Sequence, residues 1–420
     1  MIESLNKLVA QARRSEFYRH YYREVPATVT DLRQLPILEQ AAYWKAYREA
    51  PERVLCHEHI DGHILSSGGT TGAPKRTHVT RSEWTNIAVA GADALLSAGL
   101  SAGDRVGNLC AAGDLSTSML FIHGSLLAAP VPLLELPLSY AMEPAAIASK
   151  VMELNIEALV GTPSILIPTL EVYATLRQDA GDDSRAPLRK ALFLGEMLSE
   201  EQARHMRHCA PGLHIASAGH SMVDVGLVGT SDVSCTLGEH RETSSCIQLE
   251  IVDPETREVI EEAGRPGELV VTSFVRRLQP IIRYQVGDMA EWTEPPGERR
   301  KYRLAGRAPN FWSLGNGSYS YDDVKTVVDR LGVRYVALQL HLSTVNDLEQ
   351  LEVRLVPSHD EEPTSDLSKK IVEELTDNLK WFRGNIEAGF IGPLTVRWCS
   401  PADLSLSARV GKTLPVVDDR

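Results

Sequence analysis

Ser66-Ser67-Gly68-Gly69-Thr70-Thr71-Gly72-Ala73-Pro74-Lys75 is the stretch on which the reading of this chain turns. Glycines let backbone N–H groups close around an anion, the Ser and Thr hydroxyls add donors, and Lys75 supplies charge. Such a loop suits a phosphate, although composition alone leaves a Ser/Gly-rich surface turn equally open. A Walker loop is excluded because no lysine here stands in GxxxxGK[ST]. The one Gly-Lys-Thr, Gly411 to Thr413, has Leu406 where the first glycine should be.

Outward from this loop, the pattern changes along the chain. The first sixty residues read as helices with a Pro-punctuated connection near Leu35–Ile37. From about Asp104, short apolar runs (Val106–Ala111, Ala158–Val160, Ala191–Leu194, His214–Ser217) alternate with amphipathic segments (Pro144–Leu154, Ser199–His208). Buried strands alternating with helices predict an α/β region with a mostly parallel sheet. Runs at Cys246–Val252, Gly267–Phe274 and Asp288–Trp292 predict a separate antiparallel, β-rich lobe. Beyond Gly306-Arg307 the order is helix, strand, strand, helix, strand, followed by a polar tail. That predicts two domains, 1–306 and 307–420, the second a small, movable α+β unit.

The bulk numbers agree. A chain of 420 residues is too long for one core. Its 43% hydrophobic content, 30 Gly and 23 Pro are ordinary for a globular protein. The longest apolar runs fall well short of the roughly 20 residues of a membrane helix. The first residues form an amphipathic face rather than a secretory leader, so a cytoplasmic protein is expected. Six scattered cysteines without a CxxC pair fit a reducing compartment. A net charge of -13 argues against a nucleic-acid partner.

Several segments together resemble the acyl-adenylate-forming superfamily, and in particular phenylacetate–CoA ligases. The phosphate loop is similar to SSGTTGxPK, with Gly68 at the second serine. Ser15-Glu16-Phe17-Tyr18-Arg19 resembles "SPFYR", Gly161-Thr162-Pro163-Ser164 resembles "TPSY", and Gly195-Glu196 resembles the "GGEP" turn beside the adenine. Gly267 to Thr272, then Pro280 to Asp288, resemble "GELVVT…PLIRYRTGD". The resemblance implies a large N-terminal adenylation domain of α/β layers plus a β-rich lobe, and a small C-terminal domain. It implies ATP-dependent activation of a carboxylic acid, aromatic or heteroaromatic, followed by transfer to CoA or a phosphopantetheine thiol. Transfer to a partner protein or reductase, or adenylate binding without catalysis, are the alternatives. Carrier protein, reductase and homodimer partners stay open.

The same resemblance implies roles for individual residues. Ser66, Ser67, Gly68, Gly69, Thr70, Thr71, Gly72 and Lys75 would hold ATP phosphates. Gly195, Glu196, Ala218, Gly219, Asp288 and Arg307 would hold adenine and ribose, Asp288 accepting the ribose hydroxyls. Lys412, in the segment resembling "T-x-G-K", would bridge the acyl carboxylate and the α-phosphate, where charge builds in the transition state. His220, Ser221 and Met222 would border the acyl pocket.

The chain departs from the family at three places. In Ser217 to Asp224 the tyrosine of "YGxSE" falls on Ala218 and the Mg²⁺-holding glutamate on Met222, a poor ligand for a hard cation. Asp224, two residues on, is the candidate to hold Mg²⁺ instead. The hinge after Gly306-Arg307 reads Ala308-Pro309-Asn310, where proline fixes φ. Cys235 and His240 match half of a zinc site found in some relatives, but two ligands do not close a tetrahedral site, so zinc is not expected. Cys56-His57-Glu58-His59 with His63 fits no standard metal spacing.

Overall fold

A computed structural model describes residues 2–58, 61–67, 75–180, 187–243, 246–307, 311–315, 317–346, 348–407 and 411–420. The apolar runs read as strands form a five-stranded parallel sheet in the order Leu134–Pro137, Arg105–Asn108, Ala158–Gly161, Lys190–Phe193, His214–Ser217. Helices cover both faces, which is why these strands carry apolar side chains on both sides. One face packs Ile147, Val151, Leu166, Leu170 and Met206. The other packs Leu95, Ile122, Leu126 and Leu192.

Local signals set the helix starts. Thr80 and Glu83 form a capping box on helix Arg81–Ser97. Ser199 and Gln202 form one on helix Glu200–Cys209, with Glu200 and Glu201 in its first turn and Arg207 and His208 in its last. Helix Pro163–Ala180 opens on a proline, whose missing N–H would have no partner there anyway.

The β-rich region is a seven-stranded sheet in which every neighbouring pair is antiparallel. The Ile281–Trp292 strand is longer than the sequence pattern predicts, because Ile281, Ile282, Arg283 and Tyr284 are buried on both sides and hide the alternation. The N-terminal helices pack against this sheet through Tyr18, Tyr43 and Trp44 around Tyr284. Leu38 bonds to its backbone on both sides, Leu38 N–H to the Arg283 carbonyl and Gln285 N–H to the Leu38 carbonyl.

The C-terminal region has a sheet in the order Thr395–Trp398, Leu348–Pro357, Tyr335–Val345, Val416–Asp418. Two elements were not foreseen. Phe311–Leu314 and Gly317–Ser320 form a hairpin ahead of helix Tyr321–Arg330. The polar tail contributes Val416–Asp418, pairing parallel with 340–342. One hydrophobic cluster draws only on residues 314–394, while Val336, Val356 and Leu404 instead pack under the parallel sheet's helices. Among the described residues no helix is long and apolar enough to cross a membrane.

Candidate active site

The carboxyl ends of parallel strands are where an α/β sheet presents its loops to a ligand. Here Ala158–Gly161 runs into Thr162-Pro163-Ser164, Lys190–Phe193 into Leu194-Gly195-Glu196, and His214–Ser217 into Ala218-Gly219. Together with the C-terminal segment they border a cleft of about 1300 Å³. A chamber of about 230 Å³ opens beside it, walled by Trp84, Ile87, Leu109, Phe121, Leu194 and Val223. Gly195, Ser221, Met222, Asp288 and Lys412 border both spaces.

Lys412 arrives from 217 residues away and donates from Nζ to the Gly195 carbonyl at 2.6 Å. Gly195 has φ +77°, and a Cβ there would lie 2.8 Å from the lysine Nζ, so only glycine leaves room for this contact. Gly411, at φ +64°, packs against Tyr140, whose ring Cδ2 would lie 2.0 Å from a Cβ at this position. The next residue is held as well. Thr413 N–H donates to Glu196 Oε1 and to Ser164 Oγ, both at 3.0 Å. Glu196 also accepts from the Ser164 hydroxyl (2.7 and 2.8 Å) and the Ser164 N–H (3.1 Å). Desolvation pushes the Glu196 carboxyl above the ordinary glutamate value, against the lowering pull of Ser164, Lys412 and the Thr413 N–H.

At the C-terminal end of the segment 66–75, Lys75 Nζ lies 3.2 Å from Asp224 Oδ2 and 3.3 Å from the Tyr284 hydroxyl. The Tyr284 hydroxyl donates to the same Asp224 oxygen at 2.8 Å and accepts from Trp44 Nε1 at 2.7 Å. Asp224 is only 2% exposed. Its charge is thus matched by a lysine, where a metal ligand would need open oxygen sites. Met222 offers a thioether, and no group of three or more metal-ligating side chains converges among the described residues. This donor set does not fit a protein-held Mg²⁺. Asp224→Asn is therefore expected to weaken activity at least about tenfold through the lost charged bonds to Lys75. The free-Mg²⁺ concentration giving half-maximal rate should stay unchanged; a shift would return Asp224 to the role of ion ligand.

On the sheet side, His220 Nδ1 meets the Tyr302 hydroxyl at 2.9 Å, and its Nε2 lies 3.4 Å from Asp288 Oδ2. Asp288 sits opposite Arg307 in the strand pairing. Behind them His240 Nε2 meets Ser217 Oγ at 3.0 Å. Burial, with His220 alongside and against a raising Gly238 backbone contact, pushes His240 down to about 3 from 6.5. Between those values the unfolded chain binds the proton and the folded chain does not, so stability falls as pH falls. From pH 7.5 to 5.5 this group removes about 1.4 kcal/mol. Urea midpoints at the two pH values should show His240→Gln losing less than the native chain; equal losses would place the acid sensitivity elsewhere.

No protein-family model matches the chain. A phenylacetate–coenzyme A ligase of Aromatoleum evansii is 24% identical over 375 residues, 85% of this chain and 78% of that protein. A solved 2-hydroxyisobutyryl-CoA ligase, in a postadenylation state with 2-HIB-AMP, superposes over 100% of this chain and 89% of its own, with a TM-score of 0.73 at 18% identity. The fold is that of the acyl-adenylate-forming ligases. The family resemblance and the α/β architecture read from the motifs are borne out. The same ligase in its thioesterification state, with 2-HIB-AMP and CoA, gives a TM-score of 0.58 at 19% identity over the same shares of the two chains. The overall shape of this chain is nearer the former.

Within this adenylate-forming fold the predicted residues fall into three groups. Ser66, Ser67, Lys75, Gly195, Glu196, Gly219, His220, Ser221, Met222, Asp224, Asp288 and Lys412 all border the cleft or the chamber. Gly68, Gly69, Thr70, Thr71 and Gly72, His59 and the hinge Ala308-Pro309-Asn310 lie outside the described residues, as does the Arg307 side chain. Ala218 is a correction. Its N–H bonds to the Phe193 carbonyl, continuing the strand, so alternation turns its methyl into the core beside Leu194 and Leu227 rather than toward a nucleotide. Cys235 Sγ lies against Asp232 and His240 against Ser217, so the two half-site residues serve separate contacts.

Sequence reasoning missed Ser164 and Thr413 as partners of Glu196, Tyr284 as partner of Asp224, and Cys110 on the chamber wall. Burial pushes the Cys110 thiol up to about 12 despite the opposing Lys412, so it stays protonated and is no nucleophile. Ser164 and Tyr284 stand inside motifs already singled out, and Thr413 follows Lys412; adjacency was the available signal.

Proposed function

We propose that the chain uses ATP to activate a carboxylic acid as its acyl-adenylate and then forms the CoA thioester. The contact of Lys412 with the Gly195 carbonyl carries this reading, because it holds an ammonium where the cleft and the chamber meet. In the first half-reaction an acid oxygen bonds to the α-phosphorus of ATP and the bond to pyrophosphate breaks. Two anions approach each other, and a fixed cation stabilises the charge that gathers on the phosphoryl oxygens. Asp288 accepts the ribose hydroxyls and Lys75 faces the phosphates. In the second half-reaction the CoA thiol attacks the acyl carbon, losing its proton as AMP leaves. The unit 307–420 turns between the two steps.

The acid body occupies the chamber behind Lys412. Trp84, Phe121, Ile87 and Leu194 offer apolar walls in a chamber of about 230 Å³, and the named relative is a phenylacetate ligase, so a compact single-ring aryl acid is the substrate class proposed. The test is acid-dependent ATP–pyrophosphate exchange over a panel of phenylacetate, benzoate, nicotinate and 2-hydroxyisobutyrate, followed by CoA consumption. Exchange with aryl acids and thioester formation are expected. Exchange with the aliphatic acid alone would overturn the substrate class, and none with any acid, despite ATP binding, would overturn the activity.

A further inference from the structure

Residues 195–196 and 412–413 face each other one to one. The Gly195 carbonyl receives the Lys412 ammonium, and the Glu196 carboxylate receives the Thr413 N–H. Ser164 closes the third side, its Oγ lying 2.7 Å from Thr413 Oγ1 and donating to Glu196. A lysine on a long, flexible stem can return its ammonium to one place only from a fixed Cα. Gripping the N–H of the following residue fixes that Cα. Ser164 stands in the first turn of the helix after one strand of the parallel sheet and Glu196 in the loop after the next, whereas Thr413 belongs to the C-terminal segment, so the clasp exists only while that segment is docked.

We propose that Glu196 is a positioning residue for Lys412: by gripping Thr413 it sets the ammonium at the reacting oxygens during adenylation and has no part in thioester formation. This rests on the reading of Lys412 given above. The carboxylate suits the task because it accepts from Ser164 and from Thr413 at once, which an alanine cannot do and a glutamine does only in part.

The two half-reactions, assayed separately, test it. Misplacing a catalytic group by about 1 Å costs on the order of 10²-fold. Glu196→Ala should therefore lower acid-dependent pyrophosphate exchange by roughly ten- to a hundredfold at saturating ATP and acid. At saturating acyl-adenylate and CoA, conversion of pre-formed acyl-adenylate to thioester should fall far less than exchange does, with Glu196→Gln intermediate in exchange. Equal loss of both half-reactions, or of neither, overturns the proposal. A second readout needs no catalysis. Acylation of Lys412 by an N-hydroxysuccinimide ester, followed by peptide mass spectrometry, should be several-fold faster in Glu196→Ala, and unchanged labelling overturns the proposal too. If the native protein exchanges with no acid, the functional reading fails, and the labelling still decides whether Glu196 holds Lys412.

Discussion

Lys412→Ala is expected to lower acid-dependent ATP–pyrophosphate exchange about 10²- to 10³-fold, the loss found when one preorganised charge or donor is taken from a transition state. The side chain is partly exposed and reaches the site from a segment with no helix or long strand of its own, so thermal unfolding should hardly move. The ATP KM should rise little, because the ammonium matters most where the acid oxygen and phosphorus approach. Starting from pre-formed acyl-adenylate, thioester formation should proceed at close to the native rate. A variant that exchanges normally would mean that the lysine on the Gly195 carbonyl is a docking contact and that another cation carries the charge. Lys75 would be the first candidate, although Asp224 and Tyr284 already hold its ammonium.

The layered sheet could be read from the chain because strands buried on both faces leave continuous apolar runs, as at Ala158–Val160 and Ala191–Leu194. Residues singled out from separate motifs, among them Glu196, His220, Asp288 and Lys412, come together around one cleft. What escaped was pairing across long sequence distance. Nothing near Glu196 announces Thr413, and Val416-Val417 is too short an apolar pair to declare a strand until the edge of Tyr335–Val345 is there to receive it. Ala218 misled for the opposite reason. It sits between two cleft-bordering residues in the sequence, and only the strand's alternation turns it away.

Arg276→Ala should destabilise the protein by about 3–5 kcal/mol, the cost of breaking a buried ion pair by removing one partner. Arg276 is fully buried and lies 3.4 Å from Glu83. It also donates to the Thr77 hydroxyl and the His78 carbonyl, each at 2.7 Å, and to the Asp224 carbonyl at 3.2 Å. Three elements thus depend on one guanidinium: the helix cap at Glu83, the strand Arg76–Val79, and the turn bearing Asp224. Glu83 would keep its bonds from the Leu278 and Thr80 N–H groups, which limits the charge left unmatched and sets the upper end of the range. Urea unfolding followed by tryptophan fluorescence would read the loss as an earlier midpoint. Activity at low temperature separates the two consequences. If Arg276 only supports the fold, the folded variant exchanges pyrophosphate normally. The geometry instead predicts a raised ATP KM, because the Asp224 carboxylate that holds Lys75 hangs from the same backbone turn that Arg276 anchors.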